Sequence, residues 1–483
     1  MYDLLRPHFV PDALYNSTKR QAEHAVICQP DTQAKVLDDI RSWAAGTTST
    51  PVCWLSGPAG TGKTTVAHTI AEEYDKSGQL AAAYFFWRKT GDRDDINKLA
   101  PTLAWQIAEK IQSAEMRMEK TLKDGSRILL SDLSFEDQLS KLLVTNINST
   151  DPNLIIIDGL DECESQRGIY RLIEWIRSKK SPFRFLLTSR PEPEIKACFT
   201  FGLDDGHVDV RIFSLTESKA DIQIYFIKQL EKVWPLQQRI VDRGPRHWPS
   251  EQDIKRLVDQ SEGLFVYAAT AVRYIGGEGY PVKRLEDVLE LHKGLDNLYR
   301  QVIEEATKWD NFDIVMGGLM YLRYPLNIDV LTGILLTFNK HLTSPGILFA
   351  LRRCYSIIAI PEDNGPIKMY HASLRDFLTD QSRSGPLFCS PAPCHARLMF
   401  SCLSAITRAF DDNKRAPEYA LASWYYHACS FLSAGVTGGG LEDLRDEELV
   451  KKIDLKWVKF WMAESLNGSG LERSMMEFAT KKV

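Results

Sequence analysis

The chain has 483 residues, more than one ordinary domain and room for roughly three or four. It is 44% hydrophobic and 25% charged with 11 tryptophans, ample material for several cores, which excludes an intrinsically disordered chain. A net charge of −5 argues against a dedicated nucleic-acid binder.

The first segment, "MYDLLRPHFVPDALYNSTKR", has no apolar h-region, so no signal peptide is expected there. The Asn-Ser-Thr triplets at 16 and 148 then carry no meaning for glycosylation. From about residue 51, short β-rich runs alternate with helical stretches. "PVCWLS" reads as a strand, followed by a helix whose apolar positions Val66, Ala67, Ile70, Ala71 and Tyr74 recur at three- and four-residue spacing. "LAAAYFFW" (80–87) reads as a buried strand, and "INKLAPTLAWQIAEKI" as a helix interrupted early by Pro101. "FEDQLSKLLVTNI" comes next, then the strand "NLIIID" (153–158), the helix "GIYRLIEWIRS" and the strand "FRFLLTS" (183–189). Continuous apolar runs mark strands covered on both faces, so this alternation predicts a parallel sheet with helices on both sides, an α/β fold.

Beyond about residue 214 the strand signal fades. "KADIQIYFIKQLEKV", "DIKRLVDQSEGLFVYAATAVRYI" and "RLEDVLELHKGLDNLYRQVIEEATKW" are helical, the first two separated by the polar loop "RIVDRGPRHWPS". The longest apolar run, "GLFVYAATAV", is too short to cross a bilayer. "CYSIIAIPEDNGPIKMYHAS" reads as a β-hairpin around Asn364-Gly365, and helices flanking one hairpin suggest a winged-helix module. "QSRSGPLFCSPAPC" reads as a Pro/Ser-rich linker, and helices such as "HARLMFSCLSAITRAF" and "LKWVKFWMAES" continue to the end. The nine cysteines are scattered without a C-x-x-C pair, which suits a reducing, cytoplasmic setting. Cys389, Cys394 and His395 have the nearest thing to metal spacing but lack a fourth ligand.

Two stretches carry chemistry. "GPAGTGKT" matches G-x-x-x-x-G-K-[ST] from Gly57 to Thr64, a pattern expected by chance on the order of 0.02 times in such a chain. Its glycines, with Pro58, Ala59, Gly60, Thr61 and Gly62, let the backbone turn so that successive N–H groups face phosphates. Lys63 supplies charge to the β/γ-phosphates, the Thr64 hydroxyl is placed to ligate magnesium, and Thr65 follows in the helix whose positive end points at the same anions. In "NLIIIDGLDE", Asp158 ends a strand where a magnesium-holding acid belongs, and Asp161 and Glu162 follow within reach of an attacking water. The blander alternative is that Asp161-Glu162 caps the helix that begins near Ser165. At the end of the next strand, Thr188, Ser189 and Arg190 face the crevice expected at the carboxyl edge of an open sheet. Arg190 could read the γ-phosphate or pair with a surface acid.

The run GPAGTGKT … LIIIDGLDE … LLTSRPEPEI resembles the NACHT class of signal-transduction (STAND) P-loop NTPases, the NOD-like receptor type, above all the branch common in mushroom-forming fungi. "ALYNSTKRQAEHAVICQPDTQAKVLDDIRSW" resembles that family's lead-in, "RDDINKLAPTLAWQIA" its post-strand helix and "MYHASLRDFLTD" its winged-helix signature. "YALASWYYHA" and "KFWMAESLNGSGLERSMMEFATKKV" resemble its C-terminal helical part, so that the likeness covers residues 13–483. It implies an N-terminal arm (1–26), a NACHT P-loop core (27–214), a helical subdomain (215–295), a winged-helix domain (296–382) and a C-terminal helical domain (383–483).

The same resemblance implies ATP or ADP (GTP being possible) with magnesium, a closed ADP form, and an open form that assembles into a homo-oligomer. It gives Lys63 and Thr64 the phosphates and metal, Asp158 the support of the metal, Asp161 and Glu162 the water, and Arg190 the role of sensor. His371 in "YHAS" matches the winged-helix histidine that reaches the β-phosphate of ADP in this class; read alone, it is an ordinary structural residue. Relatives often carry Pro after the Gly-Leu of the helical subdomain, where this chain has Gly263-Leu264-Phe265. Some 25 residues precede the lead-in, and the sequence stops where relatives begin repeat sensors, so the expectation is either a minimal or truncated switch or one that borrows sensor and effector from partners.

The leading expectation is therefore a cytoplasmic nucleotide switch with weak NTPase activity, in innate-immunity, self/non-self or cell-death signalling. A turnover ATPase or GTPase is the first alternative; a motor would need an arginine finger, for which Arg88 and Arg93 are available. A winged-helix DNA reader is the second, for which "GILFALRRCYSII" offers only Arg352 and Arg353 as phosphate contacts.

Overall fold

Five short runs pair as one parallel sheet: β1 (Val52–Ser56), β2 (Leu80–Phe85), β3 (Leu154–Asp158), β4 (Arg184–Ser189) and β5 (Val208–Ile212), in the order β2-β3-β4-β1-β5. The computed structural model describes residues 2–17, 27–47, 51–88, 92–124, 133–143, 152–178, 182–200, 208–212, 218–238, 248–277, 280–307, 309, 311–336, 342–361, 363–411 and 416–435. The expected helix "LKWVKFWMAES", the stretch resembling the C-terminal end of the family, and most of the loop "RIVDRGPRHWPS" lie outside these residues.

Strand residues alternate between two cores. Ile155 and Ile157 join Trp54, Phe185 and Leu187 on one face, while Leu154 and Ile156 join Cys53, Leu55 and Leu186 on the other. Helices α1 (Ala34–Ser42) and α2 (Lys63–Lys76) cover the second face through Leu37, Ile40, Val66 and Ile70. The first face is covered by α3 (Leu99–Lys110), α4 (Gln112–Asp124), α5 (Phe135–Leu143) and α6 (Gln166–Ser178), with α7 (Pro193–Thr200) adding Ile195 and Phe199. Each such aliphatic or aromatic side chain contributes about 1.5–3 kcal/mol on full burial, so the sheet is held from both sides.

Three expectations change. Pro101 does not interrupt its helix. It occupies the first turn of α3, where an N–H would have no helical partner, and a short 3-10 turn, Ile96–Lys98, leads in. Strand β2 pairs only to Phe85; the Phe86 amide still bonds the Asp158 carbonyl at 2.9 Å. Strand β5 is additional: "VDVRI" alternates apolar and polar residues, and a search for continuous apolar runs passes over it.

The chain continues through α8 (Ser218–Gln238), α9 (Glu251–Gln260), α10 (Phe265–Gly276), α11 (Pro281–Glu290) and α12 (Leu295–Ala306). Helix α9 starts with a reciprocal cap between Ser250 and Asp253. Then come α13 (Phe312–Tyr321), α14 (Ile328–Leu335), α15 (Ser344–Arg352) and an antiparallel hairpin of β6 (Ile358–Ala359) with β7 (Lys368–Met369). Asn364 adopts φ +59° in the hairpin loop, a conformation Asn tolerates better than most residues. After α16 (Ala372–Leu378), the expected linker is largely helical. Gln381–Ser384 and Gly385–Leu387 form short turns, and "PAPC" opens α17 (Pro391–Asp411) with Pro at its first position. The last described helix is α18 (Glu418–Gly435).

These elements make two compact units. The first comprises Met1–Trp309, Arg323–Leu326 and Phe349–Leu387, and the second Asp310–Leu322, Asn327–Leu348 and Phe388–Val483. In the second unit, α17 and α18 bring together two buried histidines, His395 Nδ1 lying 3.0 Å from His427 Nδ1, with Tyr419 Oη 2.8 Å from His427 Nε2. Among the described residues no helix is long and apolar enough to cross a membrane.

Candidate nucleotide site

All of the expected site residues lie in the first unit, and all but His371 follow or end strands at the carboxyl edge of the sheet. Strand β1 ends at Ser56, and the Gly57 amide bonds the Ser189 carbonyl at 3.3 Å, fixing the start of the loop beside β4. The loop turns through Gly60 (φ +81°) and Gly62 (φ +96°), left-handed conformations that favour glycine. Gly62 is the N-cap of α2 and brings no side chain, so the first helical amides stay open to an anion. Pro58 is exposed, Ala59 partly so, and the Thr61 hydroxyl donates to the Pro58 carbonyl at 3.0 Å. Lys63 Nζ donates to the carbonyls of Gly57 at 2.7 Å and Pro58 at 2.8 Å. Burial lowers the Lys63 pKa to about 8, against the opposing pull of Asp161 and Asp158. Thr64 is exposed and Thr65 partly so; the Thr65 carbonyl accepts the Thr69 hydroxyl at 2.8 Å.

The acids stand opposite. Buried Asp158 ends β3, and Thr188 Oγ1, at the end of β4, donates to it at 2.5 Å while accepting the Gly159 amide at 3.0 Å. Gly159 (φ +74°) then opens a 3-10 turn, Leu160–Glu162. Asp161 Oδ1 accepts the Arg190 amide at 2.8 Å, and Oδ2 lies 3.1 Å from Arg190 Nε. Glu162 accepts the Arg88 amide at 3.1 Å. Its pKa is raised to about 7, first by burial and then by Asp161. Neither acid caps α6: Ser165 does, its Oγ accepting the Gly168 amide at 3.0 Å. The capping alternative therefore falls.

Arg190 is claimed by two acids. Besides Asp161, its Nη1 lies 2.7 Å from Asp376 Oδ2 on α16. Burial alone would depress the guanidinium, but Asp376 and Asp161 more than offset it. His371 is the N-cap of the same α16, its Nδ1 accepting the Ser373 amide at 3.1 Å and lying 2.6 Å from Ser373 Oγ. That bonding assigns the ring proton to Nε2. Burial, then Arg190 and Lys63, push the imidazole down to about 3. The residue is partly buried. His371 is thus a neutral ring with a donor N–H, close enough to Lys63 and Arg190 to feel their charge.

Ser189 departs from expectation: it accepts the Trp54 indole N–H at 2.8 Å inside the core and is fully buried. Arg88 and Arg93 are engaged within the chain. Arg88 Nη2 donates to the Asp161 carbonyl at 2.5 Å, and Arg93 is buried with its guanidinium 5.2 Å from the Trp87 ring centre. Three neighbours escaped sequence reading. Asp376 pairs across 186 positions with no local signal. Val266 of α10 presses on the loop: its amide donates to the Gly60 carbonyl at 3.0 Å, and a Cβ on Gly60 would stand 2.2 Å from its Cγ1. Gln33 is buried with its Nε2 unpartnered, 3.8 Å from where a Gly62 Cβ would be. An unpaired buried donor beside the loop fits a polar ligand such as a nucleotide. Among the described residues no cluster of three or more His, Cys, Asp or Glu could hold a metal alone. Magnesium bound by one or two protein oxygens plus phosphates needs no such cluster.

A family model described as Nephrocystin 3, N-terminal, matches residues 32–190, from the segment before the loop to Arg190. No curated protein matches the chain. Among solved structures, a Walker-type ATPase of Pyrococcus abyssi aligns at 14% identity over 73% of this chain and 97% of that one, with a TM-score of 0.34. The replication initiator DnaA, bound to AMPPCP and single-stranded DNA, aligns at 11% identity over 68% and 89%, with a TM-score of 0.30. The Orc1 protein of Aeropyrum pernix in complex with DNA aligns at 14% identity over 76% and 96%, with a TM-score of 0.27. Likeness at those scores carries no weight for this chain's role. The phosphate loop between β1 and α2, the parallel sheet and the family model make the chain an α/β P-loop NTPase with a nucleotide site.

Proposed function

We propose that the chain is a nucleotide-dependent switch of the NACHT class, which binds ATP or ADP with magnesium, hydrolyses slowly, and changes conformation and oligomeric state. The observation that carries this reading is the bridge made by Arg190, which holds Asp161 beside the phosphate loop and Asp376 on α16, with His371 capping that same helix. A distant segment of chain, which we assign to a winged helix on the strength of its hairpin, thereby meets the loop at one cleft. An enzyme built for turnover has no evident need of such a bridge. A switch does, because a ligand moves a two-state equilibrium only by contacts that differ between the states.

In this reading Lys63 and the loop amides bind the β- and γ-phosphates, and His371 donates its Nε2–H to the β-phosphate of ADP in the closed form. Thr64 and Asp158 would hold magnesium, which offsets phosphate charge when bound. Asp161 and Glu162 are the acids nearest a water, but neither is a free base in this arrangement. Asp161 is tied to Arg190 by two contacts, and Glu162 carries a proton much of the time near neutral pH. Slow hydrolysis follows. A role in innate immunity, self/non-self recognition or cell death, and cytoplasmic effector and sensor partners, rest on the resemblance in motif order alone.

The deciding experiment is the mass of the purified protein with its co-purified nucleotide identified, repeated after exchange into ATP. Retained ADP and an ATP-dependent oligomer are expected. Lys63→Ala should lose nucleotide by about ten- to a hundred-fold, as a charged hydrogen bond contributes about 1.5–3 kcal/mol. His371→Ala should release ADP and favour the oligomer. Rapid steady turnover by a monomer would sink the reading.

A further inference from the structure

Helix α10 touches the phosphate loop at one end and the hairpin at the other, all within the first unit. At its start, Val266 bonds and packs on Gly60 as described above. At its far end stands Arg273, largely buried, whose Nε donates to the Ser356 carbonyl at 2.8 Å and whose Nη2 reaches Thr270 Oγ1 at 3.3 Å. Its guanidinium carbon lies 4.1 Å from the centre of the Tyr370 ring. Ser356 stands two residues before β6, and Tyr370 directly follows β7 and precedes His371. Arg273 therefore grips both ends of the hairpin. A neighbouring contact repeats the pattern: Tyr355 Oη donates to the Tyr274 carbonyl at 2.7 Å and accepts from Arg284 Nη1 at 3.2 Å. It occupies the space a Cβ on Gly277 would need, 1.7 Å from that position, so the end of α10 is shaped to receive it.

Arg273 is unusual in its partners. A guanidinium this deep ordinarily faces a carboxylate. Among the described residues no acid lies within ion-pair distance of Arg273, and the titratable groups nearest it are the neutral tyrosines Tyr225, Tyr370 and Tyr299. A carbonyl and an aromatic face hold a cation without fixing it. Parting from them strands no opposite charge, whereas opening an ion pair would leave two. Such a contact can be made and released.

We propose that α10 couples the phosphate loop to the hairpin, and that Arg273 is a positioning residue that latches the hairpin, and with it His371, over bound ADP. The inference rests on the switch reading above. Release of the loop from Val266 and release of the hairpin from Arg273 are then two ends of one movement of α10. The latch favours the closed form only, so weakening it lowers affinity for the nucleotide of that form and raises or spares affinity for the other.

The test is the dissociation constants for ADP and for ATP, with the native mass in each, measured on the full chain carrying R273K or Y370L. ADP binding should weaken about five-fold or more, a typical size for coupling between sites, while ATP binding holds or tightens and the assembled form gains. Y370F keeps the aromatic face and should restore the wild-type ratio. Equal losses for both nucleotides would reduce Arg273 to a folding residue and overturn the latch. So would a wild type that switches beside variants that bind as it does. If the wild type itself shows one mass with either nucleotide, the switch reading has failed and the latch goes with it.

Discussion

Glu162 and His371 face the same cleft with pKa shifts of opposite consequence. Glu162 is raised to about 7 in the folded chain, so between its ordinary value and 7 the native state holds a proton the unfolded chain has lost. Its contribution to stability is complete at low pH and declines as pH rises through that window. His371 is lowered to about 3, so the unfolded chain takes up a proton below its ordinary value, near 6.5, while the native ring stays neutral. That contribution is complete above about 6.5 and declines as pH falls toward 3. Thermal unfolding of the nucleotide-free protein should therefore lose stability on both sides of a mildly acid optimum. In Glu162→Gln the decline toward neutral pH should flatten, and in His371→Gln the acid decline should. A curve whose two limbs survive both substitutions would show that other groups set the pH dependence.

The loop and α10 form the joint on which binding depends, and Gly60 is its tightest point. A methyl at Gly60 would stand 2.2 Å from Val266 Cγ1, and φ +81° adds left-handed strain of about 1–2 kcal/mol. Gly60→Ala should thus displace the loop from α10 and weaken nucleotide binding well beyond the strain alone. Adding Val266→Ala should return part of the affinity, because it removes the worst contact, with Cγ1, and leaves the strain and a 2.9 Å approach to the Val266 Cβ. Equilibrium dialysis on both variants checks this; a single variant that binds normally would mean the loop does not need α10.

That joint also marks where sequence reading stops. The loop, β1 and β3 were legible because glycine spacing and continuous apolar runs are local patterns with a local physical cause. Pro101 misled because a helix tolerates proline in its first turn as readily as it rejects it further in. "PAPC" misled for the same reason at the head of α17. The pairing of Arg190 with Asp376, and the fit of Val266 on Gly60, join segments far apart in the chain, and no periodicity announces either. Ser189 was misplaced because strand residues alternate faces: Thr188 turns to Asp158, and its neighbour turns to Trp54.

Every residue proposed to touch nucleotide belongs to the first of the two units, which makes the reach of a ligand measurable. A ligand that binds only the folded form adds RT ln(1 + [L]/Kd), about 2.7 kcal/mol at a hundredfold excess over Kd. Amides that exchange only through opening of the first unit should gain that protection in ADP. They include those of β1, β3, β4, α10 and α16. Helices α13, α14, α17 and α18 of the second unit have no residue at the site, so their exchange should not change. Hydrogen exchange read by mass spectrometry, with Lys63→Ala as the control that loses the effect, separates the outcomes. Protection confined to residues 57–66 would mean the nucleotide engages the loop without closing the unit around it, and the coupling through Arg190 and α10 would then be wrong. Equal gains in α17 and α18 would instead mean that the two units open as one, so that the nucleotide state is felt well beyond the cleft.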